Sequence, residues 1–166
     1  MRIFRIAAVL TALALPLAAW AQGTEVGFGS MQADTDAPVE VTAENLSVNQ
    51  DDGTALFTGN VVVGQGEMRL SAPRVLVVYN EGRTGIARLE ARGGVTLVSG
   101  EEAAEAAQAD YDVEAATVVM TGNVLLTQGL NALTSDRMVV NLEDGTARMS
   151  GRVKTVIQQQ PSGDDQ

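Results

Sequence analysis

Carboxylates are the side chains of this sequence best placed to do chemistry. Asp51-Asp52, Glu101-Glu102 and the pair Asp110 and Asp112 stand at short spacings. Two carboxylates can act as acid and base in a hydrolase only if they converge in a cleft at a fixed separation. The periodicity described below puts these pairs at turns or on a solvent face and leaves no acidic residue on the inward column. Asp51-Asp52-Gly53 resembles a fragment of a calcium loop but lacks further ligands at the needed spacing, so a solvated turn is the simpler reading. Gly64-Gln65-Gly66 falls in a hairpin turn, not between a strand and a helix where a phosphate-cradling loop belongs. The chain has no histidine and no cysteine, which removes the commonest general base, the thiol nucleophile and the usual zinc ligands. The expectation is a protein that is not an enzyme and holds no metal and no cofactor.

A repeat supplies the elements that would position any site. Phe57-Thr58-Gly59-Asn60-Val61-Val62-Val63 returns around Gly93, Gly122 and, in worn form, Gly151, with steps of 34, 29 and 29 residues. A near-constant period of this size indicates supersecondary units that bury their apolar faces only against neighbours. Counted from each glycine, positions −4, −2, +2 and +4 are apolar in 15 of 16 cases, Thr155 being the exception. Alternation at period two through the glycine means extended chain with one face buried, bent where the side chain is missing.

Each unit also has an earlier strand, carrying Leu46 and Val48, Val75 and Val77, Ala109 and Tyr111, or Met138 and Val140. Asp51-Asp52-Gly53 and Glu143-Asp144-Gly145 are matching turns, as are Gln65-Gly66 and Gln128-Gly129. Glu101 to Ala109 favours helix by propensity, yet the register of the repeat requires strand there. The architecture expected is all-β: fourteen to sixteen short antiparallel strands in a rolled or sandwiched sheet, with the two end strands open.

The termini read differently. Residues 1–21 have a basic end at Arg2 and Arg5, an apolar run and Ala19-Trp20-Ala21, which together predict a signal peptide cleaved before Gln22 and a periplasmic or extracellular protein. Residues 22–38 predict a flexible arm, 39–157 the folded body and 158–166 a disordered tail. Beyond residue 21, nine basic residues stand against 21 acidic ones, a net −12 that disfavours nucleic acid as a partner.

The inward column collects Phe57, Val61, Val63, Val95 and Leu97 with Met120, Val124, Leu126 and Met149. Such a column serves as an ordinary core, and its flexible methionines would equally line a surface for acyl chains. The residues alone leave both readings open.

Four motifs, one of them occurring twice, carry a family resemblance by their order and spacing: Val41-Thr42-Ala43-Glu44-Asn45-Leu46, Thr-Gly-Asn-Val at Thr58, Ala109-Asp110-Tyr111-Asp112, Thr-Gly-Asn-Val again at Thr121, and Leu133-Thr134-Ser135-Asp136-Arg137. With the export signal, they make residues 39–155 resemble the OstA-like periplasmic lipopolysaccharide-transport proteins of the LptA type. The resemblance implies a β-jellyroll, V-shaped in section, whose apolar interior receives the acyl chains of lipid A. It also implies protomers joined end to end, and partners of the same fold at the inner and outer membranes. On this reading the inward column, from Leu46 to Met149, is the lipid-binding lining. Arg69, Arg74, Arg83, Arg88 and Arg92 fall within one 24-residue window and would contact phosphates at the groove rim, or else are simply solvated. Two alternatives stay open: a membrane-anchored partner of the same pathway that keeps residues 1–21, and a purely structural filament-forming repeat protein.

The two end strands differ in charge. Glu40 and Glu44 lie on the first, Val39 to Val48, while Arg152 and Lys154 lie on the last, Met149 to Ile157. Neither edge complements itself, which disfavours a two-fold dimer and favours a head-to-tail contact.

Overall fold

The computed structural model describes the backbone of residues 24–27, and residues 31 and 33–157. The expected signal peptide and C-terminal tail lie outside the described residues. Eleven strands follow in chain order: β1 (Thr24–Gly27), β2 (Glu40–Thr42), β3 (Asn45–Asn49), β4 (Thr54–Gln65), β5 (Met68–Tyr79), β6 (Ile86–Ser99), β7 (Glu102–Asp112), β8 (Thr117–Gln128), β9 (Asn131–Asn141), β10 (Thr146–Ser150) and β11 (Lys154–Val156). From β4 to β10 each strand pairs antiparallel with the next; β2 and β3 both join β4, β1 joins β10 and β11 joins β9. The Ala-rich stretch is strand β7, with Ala104, Ala106 and Ala109 buried.

The count falls short of fourteen to sixteen because the repeat glycines bend strands without ending them. Gly59 and Asn60 have φ of 82° and 44°, and Gly122 and Asn123 have 87° and 50°. Two successive left-handed residues turn the chain through a corner. Glycine takes that conformation without penalty and asparagine takes it more readily than most residues, which explains Thr-Gly-Asn. The ladders slip there, between Thr58 and Val61 on β4, Arg92 and Val95 on β6, and Thr121 and Val124 on β8, one extra residue on each bent strand. Pairing resumes at once beyond the bulge, so segments expected as separate strands are the two halves of one.

The corners align across the sheet and fold it into two wings. One wing holds the halves of β4 to β9 on the side of β3 and β10; the other holds the halves on the side of β2 and β11. Their inner faces are buried against each other. The wings are skewed: Gln65, at the free end of β4 in one wing, accepts a hydrogen bond from Tyr111 of β7 in the other.

The expected first strand, 39–48, is broken at this corner into β2 and β3, and the last into β10 and β11. The Glu44 amide donates to Gly59 O (3.0 Å) and the Asp136 amide donates to Gly151 O (2.9 Å), the same contact at both ends of the repeat.

The arm expected to be flexible is not free. β1 pairs with β10, Met31 and Ala33 are buried, and residues 33–39 lead into β2 on the opposite wing. Met31 and Ala33 of the arm join the core, and Val39 and Val41 just beyond it continue the alternation and pack against it.

Candidate functional site

Thirteen of the sixteen expected lining residues are at most 2% exposed on the inner faces: Val61, Val63, Val75, Val77, Val95, Leu97, Tyr111, Met120, Val124, Leu126, Met138, Val140 and Met149. Phe57 is half-buried. Leu46 and Val48 depart from the expectation, at 57% and 60% exposed. Their register opposite Phe57 and Ala55 puts them on the inner face, but β3 is an edge strand and the skewed second wing does not cover it. The apolar surface thus runs from the interior out to one open corner. Met68 and Leu70 are equally buried and were missed, although Met68-x-Leu70-x-Ala72 carries the same alternation.

Polar residues sit where the wings' free margins meet. Gln65, Ser99 and Glu102 are buried on the inner face, which corrects the expectation that no acidic residue points inward. Glu102 is the first residue of β7 and shares the parity of Ala104; Gln128 donates to its Oε1 at 2.6 Å. Burial raises the Tyr111 phenol above its usual range and the charge of Asp112 adds to this, so the hydroxyl stays protonated and donates to Gln65. Gln65 in turn donates to Thr35 O and Ala37 O, each at 3.0 Å.

The arginines do not form a rim. Arg74, Arg88 and Arg92 alternate with Val75, Leu89 and Ala91, so they stand on the outer face of one wing. Arg88 pairs with Glu90 (2.9 Å) and Arg92 with Asp110 (2.7 Å), as expected of solvated strand residues. Arg69 donates to the carbonyls of Gly66 and Met68, and Arg83 to that of Gln50, so these two brace hairpin ends.

Two of the four edge charges have partners within the chain. Glu44 accepts from the Asn60 side chain, and Arg152 reaches both oxygens of Asp136, with Nη2 to Oδ1 at 2.6 Å. Glu40 on β2 and Lys154 on β11 stay exposed at opposite ends. The hydrogen bonds from Arg152, and secondarily its charge, hold the Asp136 carboxyl below the usual carboxylate range. A depressed folded-state value means the pair contributes above the unfolded-state pKa and is lost as pH falls through the folded one. Arg152→Ala is expected to return the Asp136 titration, followed by NMR, toward ordinary carboxylate values. An unchanged titration would show that the guanidinium is not its cause. The effect on stability is expected to be small at this exposed site.

The fold is thus a skewed, bent antiparallel sheet whose inner face is largely apolar, with Gln65, Ser99 and Glu102 near its free margins. The family described as "LptA/(LptD N-terminal domain) LPS transport protein" matches residues 40–146, well over half of the chain. The chain belongs to this LPS-transport family. Within it, the chain is 29% identical over 174 residues to an uncharacterized Rhizobium meliloti protein, R00383, covering 95% of this chain and 94% of that one. It is 27% identical over 115 residues to the Escherichia coli K12 lipopolysaccharide export system protein LptA, covering 66% of this chain and 62% of that protein's length. Its fold matches the crystal structure of LptH, the LptA homologous periplasmic component from Pseudomonas aeruginosa, with a TM-score of 0.69 at 19% identity, over 76% of this chain and 99% of that one. The LptA-like β-jellyroll is therefore the fold of this family member.

Proposed function

We propose that this protein is a periplasmic carrier of lipopolysaccharide that holds the acyl chains of lipid A between its two wings and hands them toward the outer membrane. The observation that carries this reading is the inner face itself, apolar from Val61 and Val63 on β4 to Met138 and Val140 on β9 and open at the Leu46 and Val48 corner. Membership of an LPS-transport family supports the substrate class. Acyl burial contributes about 0.8 kcal/mol per CH₂. A bilayer supplies about the same, so transfer is near neutral and the protein is a path whose driving energy comes from a partner.

Photoreactive residues at Val63, Leu97 and Leu126 test the reading in living cells under ultraviolet light. Adducts with lipopolysaccharide are expected from these positions and not from Asn123 on the outer face. Adducts from the outer face alone would overturn it. Mass spectrometry of the exported protein distinguishes a carrier starting at Gln22 from an anchored partner that retains Met1.

Assembly end to end extends the same proposal. Among the described residues β2 and β3 leave one edge unpaired beside Glu40, and β11 leaves another beside Lys154, while β1 occupies the edge of β10. Charges at such a rim steer association and are screened by salt. Lys154→Glu is expected to weaken concentration-dependent association in sedimentation, and Glu40→Lys in the same chain to restore it. A salt-independent monomer at high concentration, or no restoration, excludes this edge contact.

A further inference from the structure

We infer that residues 31 and 33–39 form a clasp that holds the two wings together at one corner, and that its release is what admits an acyl chain to the interior; this rests on the lipid-carrier reading above. Thirteen lining residues at most 2% exposed leave an incoming chain no space while the wings stay closed. Along the bent corner the wings are joined by continuous strands and cannot part. At the free margins the hydrogen bonds described between the wings converge on this segment.

The Ala33 amide donates to Leu142 O at 3.0 Å, at the turn after β9 in one wing. Two and four residues on, Thr35 O and Ala37 O accept from Gln65, at the tip of β4 in the other wing. Asp34 lies over that same tip, where a Cβ built on Gly66 would be 3.1 Å from the Asp34 Cβ. Beneath the segment, Tyr111 donates to Gln65 Oε1 across the wings, so one glutamine joins the clasp, one wing and the other. Met31 and Ala33 are buried with the inner face although they belong to neither wing. They cover apolar surface that an acyl chain would otherwise cover, so clasp and lipid compete for it. A protein that binds only in its open state has its apparent affinity reduced by the fraction open, and whatever locks the clasp lowers that fraction further.

The Asp34→Cys/Gly66→Cys pair locks the clasp. The chain has no cysteine of its own, and the 3.1 Å separation is close to a disulfide's usual Cβ spacing of about 3.5–4.5 Å, while the Gly66→Cys side chain carries left-handed strain at φ 56° that the bond must offset. Binding is read with Nile red, a neutral apolar dye, and with purified lipopolysaccharide. The oxidised pair is expected to bind both at least about tenfold more weakly than the same protein after reduction. Wild type should not respond to reductant.

Gln65→Ala, which removes both clasp hydrogen bonds from one wing and the Tyr111 bond across the wings, is expected to take up dye roughly tenfold faster than wild type, and Tyr111→Phe, which removes only the latter, to fall well short of that. Equal dye binding by the oxidised and reduced pair overturns the clasp. If the pair does not fold, unchanged dye uptake by Gln65→Ala overturns it alone. Dye binding that follows the lock while neither form takes up lipopolysaccharide leaves the clasp standing and ends the lipopolysaccharide reading.

Discussion

Leu126→Asp is expected to unfold the protein outright, and Val124→Asp to come close. Both side chains are almost fully buried on β8, a strand paired on both sides by β7 and β9. Losing the apolar side chain forfeits about 1.5–3 kcal/mol of burial. A carboxylate in its place must be desolvated with no buried cation among the described residues to pair with it, or be protonated, which adds several kcal/mol. The sum approaches the total stability of an ordinary domain, about 5–15 kcal/mol. Leu126→Ala should fall between, losing about 2–5 kcal/mol. Asn123→Asp, on the outer face at φ 50°, should stay within about 0.5 kcal/mol because aspartate accepts the left-handed conformation much as asparagine does. Denaturant titrations followed by circular dichroism measure all four. A Leu126→Asp protein with a near-native midpoint would show that the wings do not close on this face in solution.

The next largest loss is expected at a corner. A Cβ on Gly122 would lie 2.8 Å from the Ala107 Cβ, with φ at 87°. Gly122→Ala therefore combines left-handed strain of about 1–2 kcal/mol with a clash against a neighbouring strand, and roughly 3 kcal/mol in total is expected. Gly129→Ala is the control: φ is also positive, at 56°, but nothing lies within 4 Å of the added carbon, so about 1 kcal/mol of strain remains alone. Ala107→Gly added to Gly122→Ala should recover the steric part and not the strain, which a double-mutant cycle isolates. Equal losses at Gly122 and Gly129 would mean that the corner can widen freely.

These corners were also the most legible feature of the sequence. The glycine spacing gave the repeat, the alternation around it gave strand faces correctly from Ala55 to Met149, and the same register overrode helix propensity between Glu101 and Ala109. Strand number was not legible, because a ladder that resumes past a bulge of one extra residue looks, in one dimension, like two strands. Parity fixes which face a residue takes but not what covers it, so Leu46 and Val48 were placed on the right face and given the wrong burial. The arginines erred the other way: adjacency to Val75 and Leu89 already sends Arg74 and Arg88 outward. Glu102 was hidden by its hairpin setting next to Gly100 and Glu101, although it stands two residues from Ala104 in the inward count. The clasp was missed because only Met31, Ala33, Ala37 and Val39 mark its alternation within a stretch rich in acidic residues.

The order of pairing also has a consequence for how the chain folds. From β4 to β10 every strand meets its successor in sequence, so each hairpin closes a short loop and can add to the previous one. Contacts between residues 24–33 and residues 142–149 span more than a hundred positions and must wait until the meander is built. Synthesis from the N-terminus makes these residues early and pairs them last. In native-state hydrogen exchange, the amides of β1 and Ala33 should therefore be among the first to open and those of β6 to β8 among the last, so that the earliest residues of the fold report its final step.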